Sequence, residues 1–308
     1  MKHIILDTDS GVDDALAFLL AFSSPELAVE AVTTVAGNVS HEKGHRNAKQ
    51  LLEFLGRTDV PVCRGAVRPL VRELRHAEEV HGETGLGGAS LPEPEMESDH
   101  RNAFQMIHQK AEELGKDLTL VAVGPLTNVA AAVVGDPELA SKVNGLVIMG
   151  GAYNLTPYGH GNVSAVAEFN VWHDPEAAKI VFNSGIPMVC VGLDTTTHPD
   201  YRMGVDMFKE IEALGTIRSR LVVDLCGGIV RQHNGFSLHD PMAVAYLVDP
   251  TIFKTQRCSV DVETCGELTR GMTVVNRRHG RIVEANVEVI VEADAKRFHR
   301  LILERMAK

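Results

Sequence analysis

The chain opens Met1-Lys2-His3-Ile4-Ile5-Leu6-Asp7-Thr8-Asp9-Ser10-Gly11-Val12-Asp13-Asp14-Ala15-Leu16-Ala17-Phe18-Leu19-Leu20. A short apolar run over 3–6 stops at a carboxylate, a glycine follows, and apolar residues resume at helical spacing over about 13–23. That is a strand, a turn and a helix. The alternation continues: apolar runs at 28–35, 60–63, 118–123, 145–149 and 187–192 are separated by helical patterns at 41–56, 101–114, 126–134 and 174–184. The runs are rich in Val, Ile and Leu without a polar alternation, as strands buried on both faces should be. Such a sequence predicts right-handed crossovers and an α/β domain of Rossmann-like type, a mostly parallel central sheet flanked by helices. Ligands of such sheets bind at the carboxyl ends of the strands, so the loop after each strand is where function is expected.

Further along, 64–100 is long, polar and rich in Pro and Gly, which predicts a lid or binding loop. Residues 202–248 read as helical, 257–263, 268–276 and 283–292 as strands, and 294–307 as a closing helix. No internal repeat or linker interrupts the chain, so 1–308 is expected to form one domain.

Thirty Lys+Arg against 41 Asp+Glu give a net charge of −11, which argues against a nucleic-acid surface. No run of 18 apolar residues offers a membrane span. The first apolar run meets Asp7 too soon for the core of a secretory signal. Five scattered cysteines, with no CxxC pair, predict reduced thiols and a cytoplasmic setting.

The turn after the first strand holds Asp7, Asp9, Asp13 and Asp14 within eight residues, with no Lys or Arg among them. Two carboxylates about 5 Å apart repel by roughly 3 kcal/mol at an effective dielectric of about 20. A cation, raised pKa values or the following helix N-terminus must offset this. Oxygen ligands suit a hard ion, Ca²⁺ or Mg²⁺, better than zinc. An EF-hand does not fit, because counting from Asp7 puts Val12 at the glycine position and Phe18 at the bidentate glutamate. An aspartyl-nucleophile phosphatase shares the Asp7–Asp9 spacing, but Ser10-Gly11-Val12-Asp13-Asp14 does not continue in that way. The bland reading leaves Asp13 and Asp14 as first-turn acids that complement the helix dipole.

Later loops carry groups suited to sugar hydroxyls: Asn38 after the second strand, Gly124-Pro125-Leu126-Thr127-Asn128 after a later one, then Asn162, Glu168 and Asn170, and finally His239-Asp240. Taken with Ile5-Leu6-Asp7-Thr8-Asp9-Ser10-Gly11-Val12-Asp13-Asp14-Ala15, Thr33-Thr34-Val35-Ala36-Gly37-Asn38, His81-Gly82-Glu83-Thr84-Gly85-Leu86, Met149-Gly150-Gly151, Ala167-Glu168-Phe169-Asn170 and Gly271-Met272-Thr273-Val274, the chain resembles the inosine-uridine-preferring nucleoside hydrolases. The motifs run in family order over nearly the whole chain.

The resemblance implies Ca²⁺-dependent hydrolysis of the N-glycosidic bond of ribonucleosides, a step in nucleoside salvage, by a homodimer or homotetramer. It implies that Asp9, Asp14, the Val123 carbonyl and Asp240 hold the ion, and that Asp9 is also the base for the attacking water. Asp13, Asn38, Asn162, Glu168 and Asn170 would bind ribose, with Met149 and Phe169 beside them. His239 would protonate or orient the leaving base, especially a purine, and His81 would belong to a lid near it, where a solvated loop histidine is the alternative. Ser10 stands where the family usually has Pro. The stretch 219–238, which would line the base pocket, offers the pair Gly227-Gly228 where relatives often place aromatic or polar groups. That leaves base preference open and keeps a non-catalytic nucleoside-binding protein as the competing reading.

His41-Glu42-Lys43-Gly44-His45 is a literal HExxH. Ser40 reads as its N-cap, Gly44 weakens the helix, and no third ligand follows, so a solvated helix start is expected rather than a zinc site.

Overall fold

A computed structural model describes residues 1–278 and 284–307. Its strands are β1 (Lys2–Thr8), β2 (Leu27–Thr34), β3 (Val62–Arg64), β4 (Asp99–Asn102), β5 (Leu118–Ala122), β6 (Gly145–Met149), β7 (Met188–Val191), β8 (Met203–Gly204), β9 (Gly235–Phe236), β10 (Phe253–Cys258), β11 (Val260–Val262), β12 (Thr273–Val275) and β13 (Val287–Ala293). Nine of them form one sheet in the order β10-β13-β7-β6-β5-β1-β2-β3-β4. Every neighbouring pair is parallel except β10 with β13. The fold is therefore the α/β architecture expected from the alternating pattern.

Alternating side chains of the central strands feed two separate cores. Leu6, Val121 and Val147 face the layer built by the helices Val12–Phe22, Ile217–His233, His239–Val248 and Ala295–Arg305. Ile5, Leu120 and Leu146 face the layer of Ala103–Leu114, Thr127–Gly135 and Pro175–Phe182. Burial on both faces is why these strands lack a polar alternation. The helix Val12–Phe22 is buried from Val12 to Ala21, which explains its apolar character all round.

The topology fixes the site. From β1 the chain steps outward through β2, β3 and β4, whereas from β5 it steps the other way through β6, β7 and β13. The loops leaving the adjacent strands β1 and β5 therefore diverge and open a crevice at their carboxyl ends.

Some expectations shift. β4 is a polar edge strand, Asp99-His100-Arg101-Asn102, that carries no apolar signal. The expected strand at 257–263 divides into the end of β10 and β11, and 268–276 shortens to β12. Within 202–248, helices at Val205–Leu214, Ile217–His233 and His239–Val248 are joined by the small β8–β9 ladder. The strand expected at 283–292 appears as β13; residue 283 itself lies outside the described residues.

Candidate active site

At the end of β1 the backbone turns through Ser10 at φ +43°, a left-handed conformation that a proline ring cannot adopt. The family's usual Pro would not fit this turn as it stands. Gly11 then starts the helix Val12–Phe22, and its N–H donates to Asp14 Oδ2 at 2.7 Å. Only glycine fits there, since a Cβ would fall 2.5 Å from Asn38 Nδ2 and 2.6 Å from His81 Nδ1.

Asp14 also accepts from the Thr8 hydroxyl at 2.5 Å and from Asn38 Nδ2 at 3.0 Å. Asp9 Oδ2 accepts from the Asn38 N–H at 2.6 Å. Asp9 Oδ1 and Asp13 Oδ1 are buried with no partner. Oxygens of Asp13, Asp14 and Asp240 all lie within 4.8 Å of one another. The tightest trio among the described residues thus includes Asp13, and Asp9 joins through its charge. Burial, reinforced by Asp14, pushes Asp13 up to about 8. Burial and Asp14 hold Asp9 well above the carboxylate range, and burial with Asp13, Asp14 and Asp9 does the same to Asp240. The one basic group beside them, His81 Nδ1 at 3.8 Å from Asp13 Oδ1, is neutral, so buried carboxylates with orphaned oxygens and no cationic partner fit a hard divalent cation.

Asp7 plays a different part. Its Oδ1 accepts from Thr33 Oγ1 at 2.5 Å and Asn128 Nδ2 at 2.7 Å, tying together β1, β2 and the helix after β5. Burial pushes it up to about 7.

Opposite the carboxylates, the short helix Phe169–His173 is capped by Glu168, which accepts from the N–H groups of Asn170 (2.8 Å) and Val171 (3.1 Å), and from Gly151 at 2.9 Å. Asn170 Nδ2 donates to the Val123 carbonyl at 2.9 Å and to the Met149 carbonyl at 3.1 Å. Asn162 Oδ1 accepts from the Phe169 N–H at 3.0 Å. Asp13, Asn38, His81, Val123, Met149, Asn162, Glu168, Phe169, Asn170, His239 and Asp240 all border one cavity of about 360 Å³. That volume suits a small molecule. Asp9 and Asp14 stand behind this surface, fully buried.

His81 is no solvated loop residue. It is 7% exposed, and its Nδ1 accepts from the Val12 N–H at 3.1 Å, capping the helix that carries Asp13 and Asp14. Burial, then the nearby His239, drops it to about 4. His239 Nδ1 pairs with Thr196 Oγ1 at 2.7 Å, and burial, then Arg202, drops it to about 4. Both rings are neutral at pH 7. The lid segment is pinned by Ala77 N–H to the Asn38 carbonyl (2.9 Å) and by Asn47 Nδ2 to the Thr84 carbonyl (2.8 Å).

The far end of the cavity is lined by Val80, Arg202, Ile229, His233 and Phe236. Sequence reasoning did not single these out, because they come from a lid, a ladder and one helix face. The Gly227-Gly228 pair is not part of this wall; the stretch contributes Ile229 and His233, one turn onward on the same helix.

The HExxH segment is also not a solvated helix start. His41 and His45 are buried, and Thr34 Oγ1 bonds His41 Nε2 at 3.1 Å and His45 Nδ1 at 2.9 Å. Glu42 pairs instead with Arg64 on the surface. The motif packs a helix on β2 and holds no zinc geometry.

Residues 4–300 match the family described as inosine-uridine preferring nucleoside hydrolase. The chain is 43% identical over 310 residues to the pyrimidine-specific ribonucleoside hydrolase RihA of Shigella flexneri, covering 98% of this chain and 97% of that protein. Among solved structures it superposes on a purine-preferring ribonucleoside hydrolase from Gardnerella vaginalis with a TM-score of 0.91, at 33% identity over 99% of this chain and 98% of that one. A plant nucleoside hydrolase, PpNRh1, gives a TM-score of 0.92 at 34% identity, covering 99% of each chain.

Proposed function

The chain belongs to the inosine-uridine preferring nucleoside hydrolase family, and we propose that it hydrolyses ribonucleosides to ribose and free base with Ca²⁺ at the carboxylate cluster, preferring pyrimidine bases. The observation that carries the reading is the Asp13–Asp14–Asp240 trio, of which Asp13, with its orphaned Oδ1, and Asp240 border a nucleoside-sized cavity. The pyrimidine preference rests on the 43% identity to a relative named pyrimidine-specific.

In this proposal Asp9, Asp14, Asp240 and the Val123 carbonyl hold the ion, with Asp13 in the same cluster. A hard cation there lowers the pKa of water and grips hydroxyls. Asp9 Oδ1, free of any hydrogen bond, takes the proton of the attacking water. The water oxygen bonds to the anomeric carbon as the C–N bond breaks, the electron pair leaves with the base, and the base takes up a proton from solvent as Asp9 releases the one it accepted. Asp13, Asn38, Asn162, Glu168 and Asn170 bind the ribose hydroxyls, and Met149 and Phe169 close that end. Because Thr196 occupies His239 Nδ1, the Nε2 is left to donate to the leaving base. A neutral imidazole orients and hydrogen-bonds rather than acting as a strong acid, which suits pyrimidines whose carbonyl accepts the bond.

We take 1–308 as one catalytic unit, assembled as a homodimer or homotetramer. No described helix is long and apolar enough to cross a membrane, and Cys63, Cys190, Cys226, Cys258 and Cys265 are all unpaired, which supports a reducing, cytoplasmic setting. The test is ribose release from uridine, cytidine, inosine and adenosine at equal concentration. Uridine and cytidine are expected to lead. Faster inosine would overturn the base preference, and silence on all four with folded, Ca²⁺-supplied protein would favour the nucleoside-binding reading.

A further inference from the structure

Behind the ribose-facing helix Phe169–His173 lies a second cleft, of about 250 Å³, that the reaction does not use. It is lined by Arg72, Glu73, Arg75, Trp172, His173 and Arg270, brought together from the lid segment, the helix and the turn before β12. Arg270 Cζ lies 4.6 Å and Arg75 Cζ 5.6 Å from the centroid of the Trp172 ring. Arg72 is engaged by Glu176 and by the Thr264 carbonyl. Among the described residues, the guanidinium groups of Arg75 and Arg270 form no ion pair or hydrogen bond. Glu73 is the one carboxylate on the lining, and it is exposed.

The floor of the cleft carries an independent defect. His173 is 2% exposed, and neither ring nitrogen has a hydrogen-bond partner. A neutral imidazole always keeps one N–H, and the one acceptor near it is the Arg75 backbone carbonyl, outside good hydrogen-bond geometry. Burial, then the Arg72 and Arg75 charges, lowers the proton affinity of Arg270, and Glu176, already paired with Arg72, only partly offsets that crowding. The arrangement is rigid: Gly271, at φ +80°, lets the turn approach so closely that a Cβ would fall 2.6 Å from Trp172 Cα.

We propose that this cleft binds a phosphate group, held by Arg75 and Arg270 with His173 donating from the floor. Guanidinium forks match tetrahedral oxyanions, and a cleft with two unpaired guanidiniums over a poorly satisfied buried imidazole is anomalous in a chain of net charge −11. The His173 ring also packs 5.6 Å from that of Phe169, which lines the catalytic cavity, so the two sites share a wall. The proposal stands apart from the hydrolase reading.

Trp172 is the sole tryptophan, so intrinsic emission reports the cleft without a label. The experiment titrates the full chain with inorganic phosphate, and separately with ribose 5-phosphate, at constant ionic strength set by chloride. A saturable change in Trp172 emission is expected with at least one of them, and the tighter of the two identifies whether a free phosphate or a phosphosugar is the ligand. Arg270→Gln should weaken it by about tenfold or more with an unchanged circular-dichroism spectrum, and exposed Arg75→Gln provides the same test if Arg270→Gln fails to fold. No saturable change with either ligand would overturn the proposal. So would a wild-type response in both variants, which would put the phosphate outside this cleft, or an emission change that tracks protein concentration, which would mean that a second copy fills the cleft.

Discussion

Stripping divalent cations should leave a protein whose stability falls steeply as pH rises from 5 to 8. In the folded state burial pushes Asp7 up to about 7 and Asp13 up to about 8, and Asp9, Asp14 and Asp240 are raised as well. In the unfolded chain all of these ionise near the ordinary value of 3.8. Over this window the folded state therefore holds protons that the unfolded state has released. Stability is fully present below about pH 4 and is lost as pH rises through the folded values, at about 1.4 kcal/mol per pH unit for each proton held. With Asp7 and Asp13 each holding one, the slope is about 3 kcal/mol per unit, or about 5 °C in Tm for a chain of this size. Desolvation is the larger cost of ionising them, and repulsion adds to it: two charges 4.8 Å apart, the outer limit within the Asp13–Asp14–Asp240 trio, repel by about 3.5 kcal/mol at an effective dielectric near 20. Saturating Ca²⁺ should displace the shared protons and flatten the profile. Asp7→Asn should remove one proton's share of the slope while leaving the Ca²⁺ response intact. Differential scanning calorimetry across the window is the assay. A flat profile without metal, or a slope that Ca²⁺ leaves unchanged, would refute the electrostatic account of the site.

Asp9→Ala and Asp240→Ala should each lose nearly all turnover, by a factor of at least about a thousand, at unchanged fold; normal turnover by Asp9→Ala would remove it as the base. His239→Ala should slow natural nucleosides by about a hundredfold and a riboside with an activated leaving group far less, and equal losses would argue against assistance to the leaving base. Gly37→Ala should abolish activity although residue 37 binds nothing, because its Cβ would fall 2.0 Å from Asp9 Oδ2; wild-type rates in that variant would show that the Asp9 carboxylate is free to move.

Much of this was legible in the sequence for a local reason. The strand, acidic turn and helix of 3–23 are contiguous, and each polar loop follows its own strand, so Asp9, Asp13, Asp14, Asn38, Glu168 and Asn170 could be found singly. What brings them together is the switch between β1 and β5, which depends on strand order and has no local signature. The wall formed by Arg202, His233 and Phe236 was missed because its members are ordinary residues until the β8–β9 ladder folds them inward. β4 was missed because an edge strand of four polar residues looks like a loop. The burial of His41 and His45 was misread because their partner, Thr34, is the last residue of β2 and meets them only when the helix packs on the sheet. Asp7, an acid among acids in the sequence, differs from its neighbours only through Thr33 and Asn128.

The most direct test of the central claim is a Ca²⁺ titration of chelator-stripped protein with uridine as substrate, following ribose and uracil together. Activity should vanish on stripping and return with about one ion per chain, ribose and uracil appearing in equal amounts; this is the stoichiometry of a single shared carboxylate site. Full uridine hydrolysis by protein shown to be metal-free would contradict it.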